Sequence, residues 1–592
     1  MFLARTAALP SRVKPESDME SHRRIQRRAA ADDSHLPADL PPVLRRILAA
    51  RGATLPQDLD TGLRHLLRGD SLLGMPAAVE LLIHTLKAQE RIVFVADFDA
   101  DGATSCALGI RALRALGARH VDYVVPNRFE YGYGLTPPIV DLVCGKGADL
   151  LITVDNGISS VEGVAAARNA GLKILITDHH LPGRDLPDAD AIVNPNLPGD
   201  PFPSKVLAGV GVIFYVMLAL RARLREEGWF AQQGIAEPNL AEFLDLVALG
   251  TVADVVPLDA NNRRLVAQGL ARLRAGRGQA GIHALIRAGG RDPLRLQASD
   301  LGFAVGPRLN AAGRLSDMSL GIECLLSDDT ECCAAMAREL DALNQARRDI
   351  EKETREQALD QVLQEFGLEG EVPAGICVFD PTWHQGVVGI VAGRVKDRHH
   401  RPVIAFALAG EGELKGSARS IPGVHIRDVL DSVAARHPSL LNRFGGHAMA
   451  AGLSLPLANL EAFSKAFATV LEEQVDPALL TPSLWSDGAL PAEDITLELA
   501  HRIAAAGPWG QAFPEPLFDD VFRVRQRRVV GQEHLRLQLE IGARTLPAIA
   551  FNAASSAWAE SATLIHAAYR LSVNHYQGNV ELQLVIEHAE PA

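Results

Sequence analysis

The chain has 592 residues, of which 47% are hydrophobic and 22% charged, and its formal net charge is −13. This length is too great for one core and predicts several domains, while the composition is typical of soluble globular proteins. The negative charge argues against a protein that coats nucleic acid non-specifically, but it does not exclude a nucleic-acid enzyme, because bound cations invert the sign of an acidic crevice.

Cysteine spacing and hydropathy indicate the compartment in which the protein works. The six cysteines form no CxxC pair and no zinc-ligand spacing, which predicts a reducing, cytoplasmic environment. The longest apolar stretch, residues 206–220, is shorter than the roughly 20 residues that span a bilayer, so we interpret it as a buried core helix. The N-terminus is polar and arginine-bearing, which is not typical of a secretory signal. We therefore expect no membrane association.

The N-terminal half predicts a disordered tail over residues 1–35, a helical region over 36–85 and an α/β domain over 86–275. The tail mixes arginine with aspartate and has little apolar periodicity. Apolar runs at 92–96, 121–125, 150–154 and 172–177 then alternate with helical stretches such as 104–116 and 161–170. That rhythm is typical of a mostly parallel sheet with helices on both faces.

The C-terminal half predicts three further regions. Residues 276–367 are helical and include 328–366, a stretch without proline or glycine that fits one helix of roughly 60 Å or a helical hairpin. Residues 368–475 are glycine-rich and predict a second α/β lobe. In residues 480–592 apolar residues alternate with polar ones, which is typical of a β-barrel or sandwich.

Acidic residues follow three of the predicted strands at the point where each strand ends. They are Asp97, Asp99 and Asp101, then Asp155, then the triplet Asp178-His179-His180. Because the ligand crevice of an open α/β sheet lies outside the carboxyl ends of its strands, we expect these side chains to converge. Carboxylates held together repel one another, and divalent cations between them relieve that repulsion. The pattern predicts a metal site for phosphate chemistry.

Alone, the pair Asp97 and Asp99 allows two other interpretations, a phosphoaspartyl enzyme or acids that cap a helix. The later residues favour a dinuclear metal site, because a phosphoaspartyl enzyme needs no histidine pair after the fourth strand. The interpretation as a dinuclear metal site therefore depends on all the acidic and histidine residues at the strand ends, and not on Asp97 and Asp99 alone.

Nine segments in order resemble a known family. Residues 97–102, 126–128, 155–157, 178–180 and 251–254 are similar to the DHH phosphoesterase superfamily in order and spacing. Residues 306–314 (GPRLNAAGR), 383–386 (WHQG), 417–420 (SARS) and 445–448 (GGHA) narrow the resemblance to the RecJ family of single-strand-specific exonucleases. The resemblance implies an α/β fold with two α/β lobes, DHH and DHHA1-like, joined by a long helix, and a C-terminal OB-type barrel.

The resemblance also implies a two-metal site for Mn²⁺ or Mg²⁺. One ion would be held by Asp97, Asp99 and Asp155, and the other by Asp101, Asp155, His179 and Asp254. Two metals close together suit phosphodiester hydrolysis. His180 would lie beside the scissile phosphate and act in catalysis with Asp155 and Asp99, although a histidine at this place also serves to orient a metal ligand.

A second implied set binds substrate in a channel and a pocket for the 5′-terminal phosphate. Its members are Asn127, Arg128, Asn310, Arg314, Ser417, Arg419, Gly446 and His447. We expect the three arginines to lie in loops, where a guanidinium can pair with two phosphate oxygens. The alternative for each arginine is an ordinary surface charge.

The predicted barrel has sequence features that indicate nucleic-acid binding less strongly than the motifs of the two lobes do. Arg523, Arg525, Arg527 and Arg528 form a basic run that could follow phosphates, although edge arginines also protect strands against aggregation. Tyr569, Tyr576 and Phe551 are the few aromatic candidates for base stacking.

The resemblance implies a single-stranded-DNA-specific 5′-to-3′ exonuclease that releases 5′-mononucleotides and acts in recombination, recombinational repair and mismatch repair. It also implies partnerships with single-strand DNA-binding protein and a RecQ-type helicase, and nothing demands more than a monomer. Two alternatives stay open. One is a phosphodiesterase for short oligonucleotides or cyclic dinucleotides, which the additional barrel disfavours. The other is a non-catalytic DNA-binding scaffold, which the complete set of predicted metal ligands disfavours.

Overall fold

A computed structural model describes residues 23–126, 131, 134–366, 372–410, 412–446, 448–576 and 579–592. The first lobe contains a five-stranded parallel sheet in the spatial order β3-β2-β4-β5-β6. Its strands are β2 (Ile92–Ala96), β3 (Val121–Val124), β4 (Leu150–Val154), β5 (Lys173–Thr177) and β6 (Ala191–Val193). Every residue of β2 and β4 is buried, as expected for strands covered on both faces.

Helices cover both faces of this sheet. Among those in contact with its strands are α3 (Ala100–Ala115), α4 (Pro137–Gly145), α5 (Val161–Asn169) and α6 (Gly209–Glu226), whereas α7 (Trp229–Gln233), α8 (Leu244–Ala253) and α9 (Ala260–Arg274) pack on other helices of the lobe. Phe94 belongs to the core on one face, and Val93 and Val95 belong to the core on the other. The apolar stretch 206–220 largely forms α6, whose first half is buried, in agreement with the predicted core helix.

The N-terminal region differs from its prediction. Residues Arg24–Arg27 form strand β1, which pairs in parallel with β12 (Ser483–Ser486), so the expected disorder up to residue 35 is wrong for this strand. The Arg27 guanidinium also lies 2.8 Å from the buried Asp519 carboxylate. Backbone pairing with β12 and the ion pair with Asp519 stabilise this polar strand. Both partners are more than 400 positions away in the chain, so local composition could not predict the strand. Residues 1–22 lie outside the described residues. Helices α1 (Pro42–Ala49) and α2 (Met75–Ala88) follow.

A helical region connects the lobes and ends in one long helix. Its elements are α10 (Ala280–Ala288), α11 (Ala298–Asp300), a π-helical turn (Leu301–Val305), α12 (Gly306–Leu315), α13 (Ser319–Leu326) and α14 (Thr330–Phe366). Helix α14 has 37 residues and is about 55 Å long, so the hairpin alternative is wrong. It packs on α10 and α12 on the side of the first lobe and on α15 (Val388–His399) of the second lobe.

The second lobe is a mixed sheet with the order β10-β11-β9-β8-β7, in which only β7 and β8 are parallel. Its strands are β7 (Ile376–Phe379), β8 (Val403–Gly410), β9 (Glu413–Arg419), β10 (Arg443–Gly446) and β11 (Ala450–Pro456). Its helices are α15 (Val388–His399), α16 (Ile426–Arg436) and α17 (Leu460–Gln474). Separate apolar clusters cover the two faces of this sheet.

The C-terminal region is a closed barrel with the order β13-β14-β15-β17-β16. Its elements are α18 (Leu497–Ala505), β13 (Phe518–Val530), β14 (His534–Ile541), β15 (Arg544–Ala550), α19 (Ala557–Ser561), β16 (Leu564–Tyr576) and β17 (Asn579–Pro591). The barrel core is continuous with that of the first lobe. Within the described ranges, no helix combines the length and apolar character needed to cross a membrane.

Candidate metal centre and nucleic-acid groove

The carboxyl ends of three adjacent strands bring the predicted ligands together. Asp97 follows β2, Asp155 follows β4 and Asp178 follows β5, and β4 lies between the other two in the sheet. Asp254 arrives from the end of α8. Three groups of ligand atoms result, each with all its atoms within 4.8 Å of one another: Asp97, Asp99 and Asp155; Asp101, His179 and Asp254; and Asp155, His179 and His180.

His179 lies at the middle of the cluster. Its Nε2 atom is 3.0 Å from Asp155 Oδ1, 3.5 Å from Asp254 Oδ2 and 4.0 Å from Asp101 Oδ2. Asp155 Oδ1 is buried and accepts no hydrogen bond from any described residue. Carboxylate oxygens are the ligands that suit Mn²⁺ and Mg²⁺, and five aspartates supply most of the ligand atoms here, so these residues fit two such ions.

The start of α6 fixes the Asp101 carboxylate. The backbone N–H groups of Gly209 and Val210 donate to its two oxygens at 2.6 and 3.0 Å. A Cβ atom at Gly209 would lie 2.7 Å from Asp155 Cβ, so only glycine allows the helix this close to the cluster. Sequence reasoning missed Gly209. The only available signal was a glycine at the start of a predicted core helix.

Asp99 both caps a helix and belongs to the cluster. One of its carboxylate oxygens accepts from the N–H groups of Asp101 and Gly102 at 2.9 and 3.0 Å, which begins α3. The capping interpretation and the metal interpretation of this acidic pair are therefore compatible, since a carboxylate has further lone pairs.

Asp178 orients His180, a role that the sequence prediction did not assign. Its Oδ1 atom lies 2.8 Å from His180 Nδ1, and its Oδ2 atom accepts the N–H of Ile158 at 2.9 Å. Burial would raise the pKa of Asp178, but the hydrogen bond and charge of His180 hold that pKa below its usual range. Burial lowers the pKa of His180, yet the hydrogen bond and charge of Asp178, together with the charges of Asp254 and Asp97, raise that pKa to about 9. The pair places the His180 ring beside Asp155.

The remaining carboxylates are costly to ionise without a cation. Burial raises the pKa of Asp101 to about 7, and the charge of Asp99 adds to the shift. Burial and the charge of Asp101 also raise the pKa values of Asp155 and Asp254 well above their usual range. Divalent cations would remove this cost by replacing protons.

We expect the stability of the metal-free protein to fall as pH rises. The pKa of Asp101 is about 7 in the folded protein, against roughly 3.9 in an unfolded chain, so the folded state binds more protons between these values. The melting temperature in chelator should therefore fall by several degrees between pH 5 and pH 8. Mn²⁺ should restore it, and more strongly at pH 8. An Asp101→Asn variant should show a flatter profile, and a metal-free melting temperature that rises with pH would contradict this account.

A groove of about 520 Å³ lies between the lobes next to the cluster. Phe98 and Arg314 line it from the first lobe and helical region, and Lys415, Ser417, Arg419 and Arg443 line it from the second lobe. Arg314 also donates to the carbonyl of Gly386 at 3.1 Å, across the lobes. Four cations and a serine hydroxyl suit a phosphate-bearing ligand.

The loop prediction for two arginines is wrong. Arg314 lies in α12 and Arg419 ends strand β9. The glycines near Arg314 serve helix packing instead of a loop, because a Cβ at Gly313 would lie 1.8 Å from the carbonyl oxygen of Phe98. This close approach presses α12 against the loop that carries Asp97 and Asp99.

The other predicted substrate residues are distributed as follows. The side-chain oxygen of Asn310 accepts the N–H of Ala100 at 2.7 Å, which anchors the start of α3, and Asn310 also lines a second groove. Gly446 ends β10 with φ +147°, and a Cβ there would lie 2.4 Å from the Ala450 carbonyl oxygen. The predictions for Asn127, Arg128 and His447 fall outside the described residues.

The barrel surface supports base stacking less than expected. The Tyr569 side chain is buried and its hydroxyl donates to Asp520 at 2.7 Å, so its prediction as a stacking residue is wrong. Phe551 is 55% exposed and packs edge-on against His534. Arg525 pairs with Glu540, and Arg527 donates to the Ala559 carbonyl at 2.6 Å, so internal partners occupy part of the basic run. The side chain of Tyr576 lies outside the described residues.

The two lobes, the strand-end ligand cluster and the basic groove define a phosphoesterase of the DHH class. The DHH family N-terminal domain matches residues 91–251, the DHHA1 domain matches 372–473 and the RecJ OB domain matches 486–588. These spans fall within the predicted domains 86–275, 368–475 and 480–592, whose limits stay predictions.

Relatives that are similar over nearly the whole chain show which family of the DHH class is concerned. The single-stranded-DNA-specific exonuclease RecJ of Salmonella typhimurium is 52% identical over 97% of this chain and 100% of its own. Crystal structures of RecJ from Thermus thermophilus are also similar. The Mn²⁺ complex has a TM-score of 0.80 at 30% identity, over 97% of this chain and 80% of that one. The Mg²⁺ complex has a TM-score of 0.75 at 28% identity, over 96% and 79%. This chain belongs to the RecJ family.

Proposed function

We propose that this protein is a single-stranded-DNA-specific exonuclease that hydrolyses phosphodiester bonds from the 5′ end and releases 5′-mononucleotides, with two Mn²⁺ or Mg²⁺ ions. The observation that carries the proposal is the set of three ligand groups that overlap at Asp155 and His179. Phe98, which stands between Asp97 and Asp99 in the chain, lines the basic groove, so the groove adjoins the cluster.

Each residue has a part in this chemistry. Asp97, Asp99 and Asp155 would hold one ion, and Asp101, Asp155, His179 and Asp254 the other. Divalent cations supply Lewis-acid chemistry, which activates water and stabilises charge on the phosphate. His180, whose ring is held by Asp178 at 2.8 Å, would contact the substrate phosphate.

In this proposal the groove between the lobes determines the 5′-to-3′ direction of digestion and the preference for single strands over duplex DNA. Arg419, with Arg314 and Ser417, would bind the 5′-terminal phosphate, since a guanidinium can pair with two of its oxygens. Helices α14 and α15 both contribute residues to the adjoining groove, and in this proposal that passage admits one strand and excludes a duplex. Selection for single strands is steric in this proposal.

The proposal extends to the biological setting. Recombinational repair, recombination and mismatch repair all require removal of single strands, and a RecQ-type helicase and single-strand DNA-binding protein would supply and present them. Both lobes that line the groove belong to one chain, so a monomer suffices. The free thiols of all six cysteines fit a cytoplasmic enzyme.

The test is digestion of 5′-labelled and 3′-labelled single-stranded DNA beside blunt duplex and a dinucleotide, with Mn²⁺ or with chelator. We expect metal-dependent release of mononucleotides from the 5′ end of long single strands only. Preference for the dinucleotide would transfer the function to oligonucleotide turnover. Binding without cleavage in Mn²⁺ would indicate a non-catalytic DNA-binding scaffold. Either of these two results would overturn the proposal.

A further inference from the structure

We infer that Phe303 is a base-stacking residue, which holds a nucleobase of single-stranded DNA on the 3′ side of the scissile phosphate. This inference rests on the proposed function and adds a specific contact to it. Phe303 lies in the π-helical turn Leu301–Val305, and the residue is 78% exposed, the highest exposed fraction among the large hydrophobic residues of the described chain.

The surroundings of Phe303 explain why its exposure has a function. It lines a second groove, of about 740 Å³, together with Asn310 and Arg314 of α12 and with Val255, which directly follows the candidate ligand Asp254. Arg314 also lines the groove between the lobes, so the two grooves meet at this residue. Phe303 therefore lies in a groove that adjoins the groove between the lobes at Arg314 and borders the candidate metal centre at Val255.

The charge of this second groove indicates the chemistry of its ligand. Six cations line it against one carboxylate, Glu351; they are Arg314, Arg347, Arg348, Lys352, Arg355 and Arg394. Glu351 is itself bridged by Arg347 at 3.0 Å and Arg394 at 3.1 Å, so it offers little repulsion to an anion. Four of the cations come from α14, where residues 348, 352 and 355 share one face. A row of cations beside an exposed aromatic ring is the arrangement that binds single strands through phosphates and stacked bases.

Packing of the turn Leu301–Val305 on α8 positions Phe303 at the groove. A Cβ at the preceding Gly302 would lie 3.2 Å from Val252 Cγ1, so this turn sits directly on the end of α8. Val255, just beyond that end, has φ +60° and is 62% exposed. A β-branched residue in this conformation is strained, and the strained backbone turns a second apolar side chain into the same groove. Phe303 and Val255 thus form an apolar patch within a cationic groove, which fits a nucleobase.

The first test compares Phe303→Ala, Phe303→Leu and Phe303→Trp with the wild type. Loss of one stacked base should lower the affinity for single-stranded DNA in chelator, and kcat/KM in Mn²⁺, by about 10-fold for alanine. Leucine should recover little and tryptophan nearly all of both values. Leu294→Ala is the matched control, because Leu294 is 74% exposed in the turn Pro293–Arg295 and lines neither groove. The control should behave as the wild type, and equal melting temperatures would show that all variants are folded.

The second test moves a single abasic residue along 5′-phosphorylated single-stranded DNA, one position at a time. Wild-type enzyme should lose about 10-fold in kcat/KM when the abasic residue occupies the position that stacks on Phe303. Phe303→Ala should show no such penalty, because the ring and the base form one interaction. Equal abasic penalties in the wild type and in Phe303→Ala, or unchanged affinity and kcat/KM in Phe303→Ala, would overturn the inference. If the wild type itself fails to digest single strands, the proposed function fails instead, so the two failures are distinguishable.

Discussion

Replacing Asp155 by asparagine is expected to lower kcat on single-stranded DNA by at least ~10³-fold, the largest effect of any single substitution. Asp155 belongs to two of the three ligand groups, and Oδ1 lies 3.0 Å from His179 Nε2. An amide supplies no negative charge to either ion, so both sites lose affinity. Quenched-flow digestion measures the rate, and calorimetric titration with Mn²⁺ should show a reduced number of bound ions.

A matched control is Asp245→Asn. Asp245 is also a buried carboxylate, and its pKa is raised to about 6 by burial, but it lies at the opposite end of α8 from Asp254 and accepts only backbone N–H groups. It should keep cleavage activity. Unchanged hydrolysis in the Asp155→Asn variant would contradict the assignment of Asp155 as a metal ligand. DNA affinity in chelator should change little in either variant, because the basic grooves are untouched.

Replacing Arg419 by lysine is expected to remove most of the preference for a 5′-phosphate. Arg419 donates to Ser417 Oγ at 3.0 Å and to the Ala418 carbonyl at 2.8 Å, which orients its guanidinium at the groove wall. Lysine keeps the charge but loses the planar fork that pairs with two phosphate oxygens. We expect kcat/KM on 5′-phosphorylated strands to fall by about 30-fold, equivalent to ~2 kcal/mol, with a smaller fall on 5′-hydroxyl strands.

The ratio between the two substrates is the decisive measurement. Arg436→Lys provides a control in the same lobe, because Arg436 pairs with Glu473 on the surface and lines neither groove. It should leave the ratio unchanged. Equal losses on phosphorylated and hydroxyl ends in Arg419→Lys would place this arginine along the strand path instead of at its terminus.

Local patterns in the chain were enough to predict the main elements of the fold and most of the cluster. The strand at residues 92–96 ends where predicted, because an uninterrupted apolar run followed by acidic residues favours a buried strand with a polar exit. The long helix follows from the absence of proline and glycine over its length. Convergence of Asp97, Asp99, Asp155 and His179 follows from parallel strands that share an edge.

Other features depend on contacts between distant residues, which no local pattern contains. The polar strand Arg24–Arg27 is ordered by Asp519 and β12, and Tyr569 is buried because the barrel closes over it. Gly209 matters because its N–H group meets Asp101, and Gly313 because α12 lies on the Phe98 carbonyl. The sequence by itself determined which lobes this protein has and where the candidate ligands stand along the chain. Only the tertiary structure decided which backbone groups orient those ligands and which side chains line the grooves, because those roles arise when separate elements pack together.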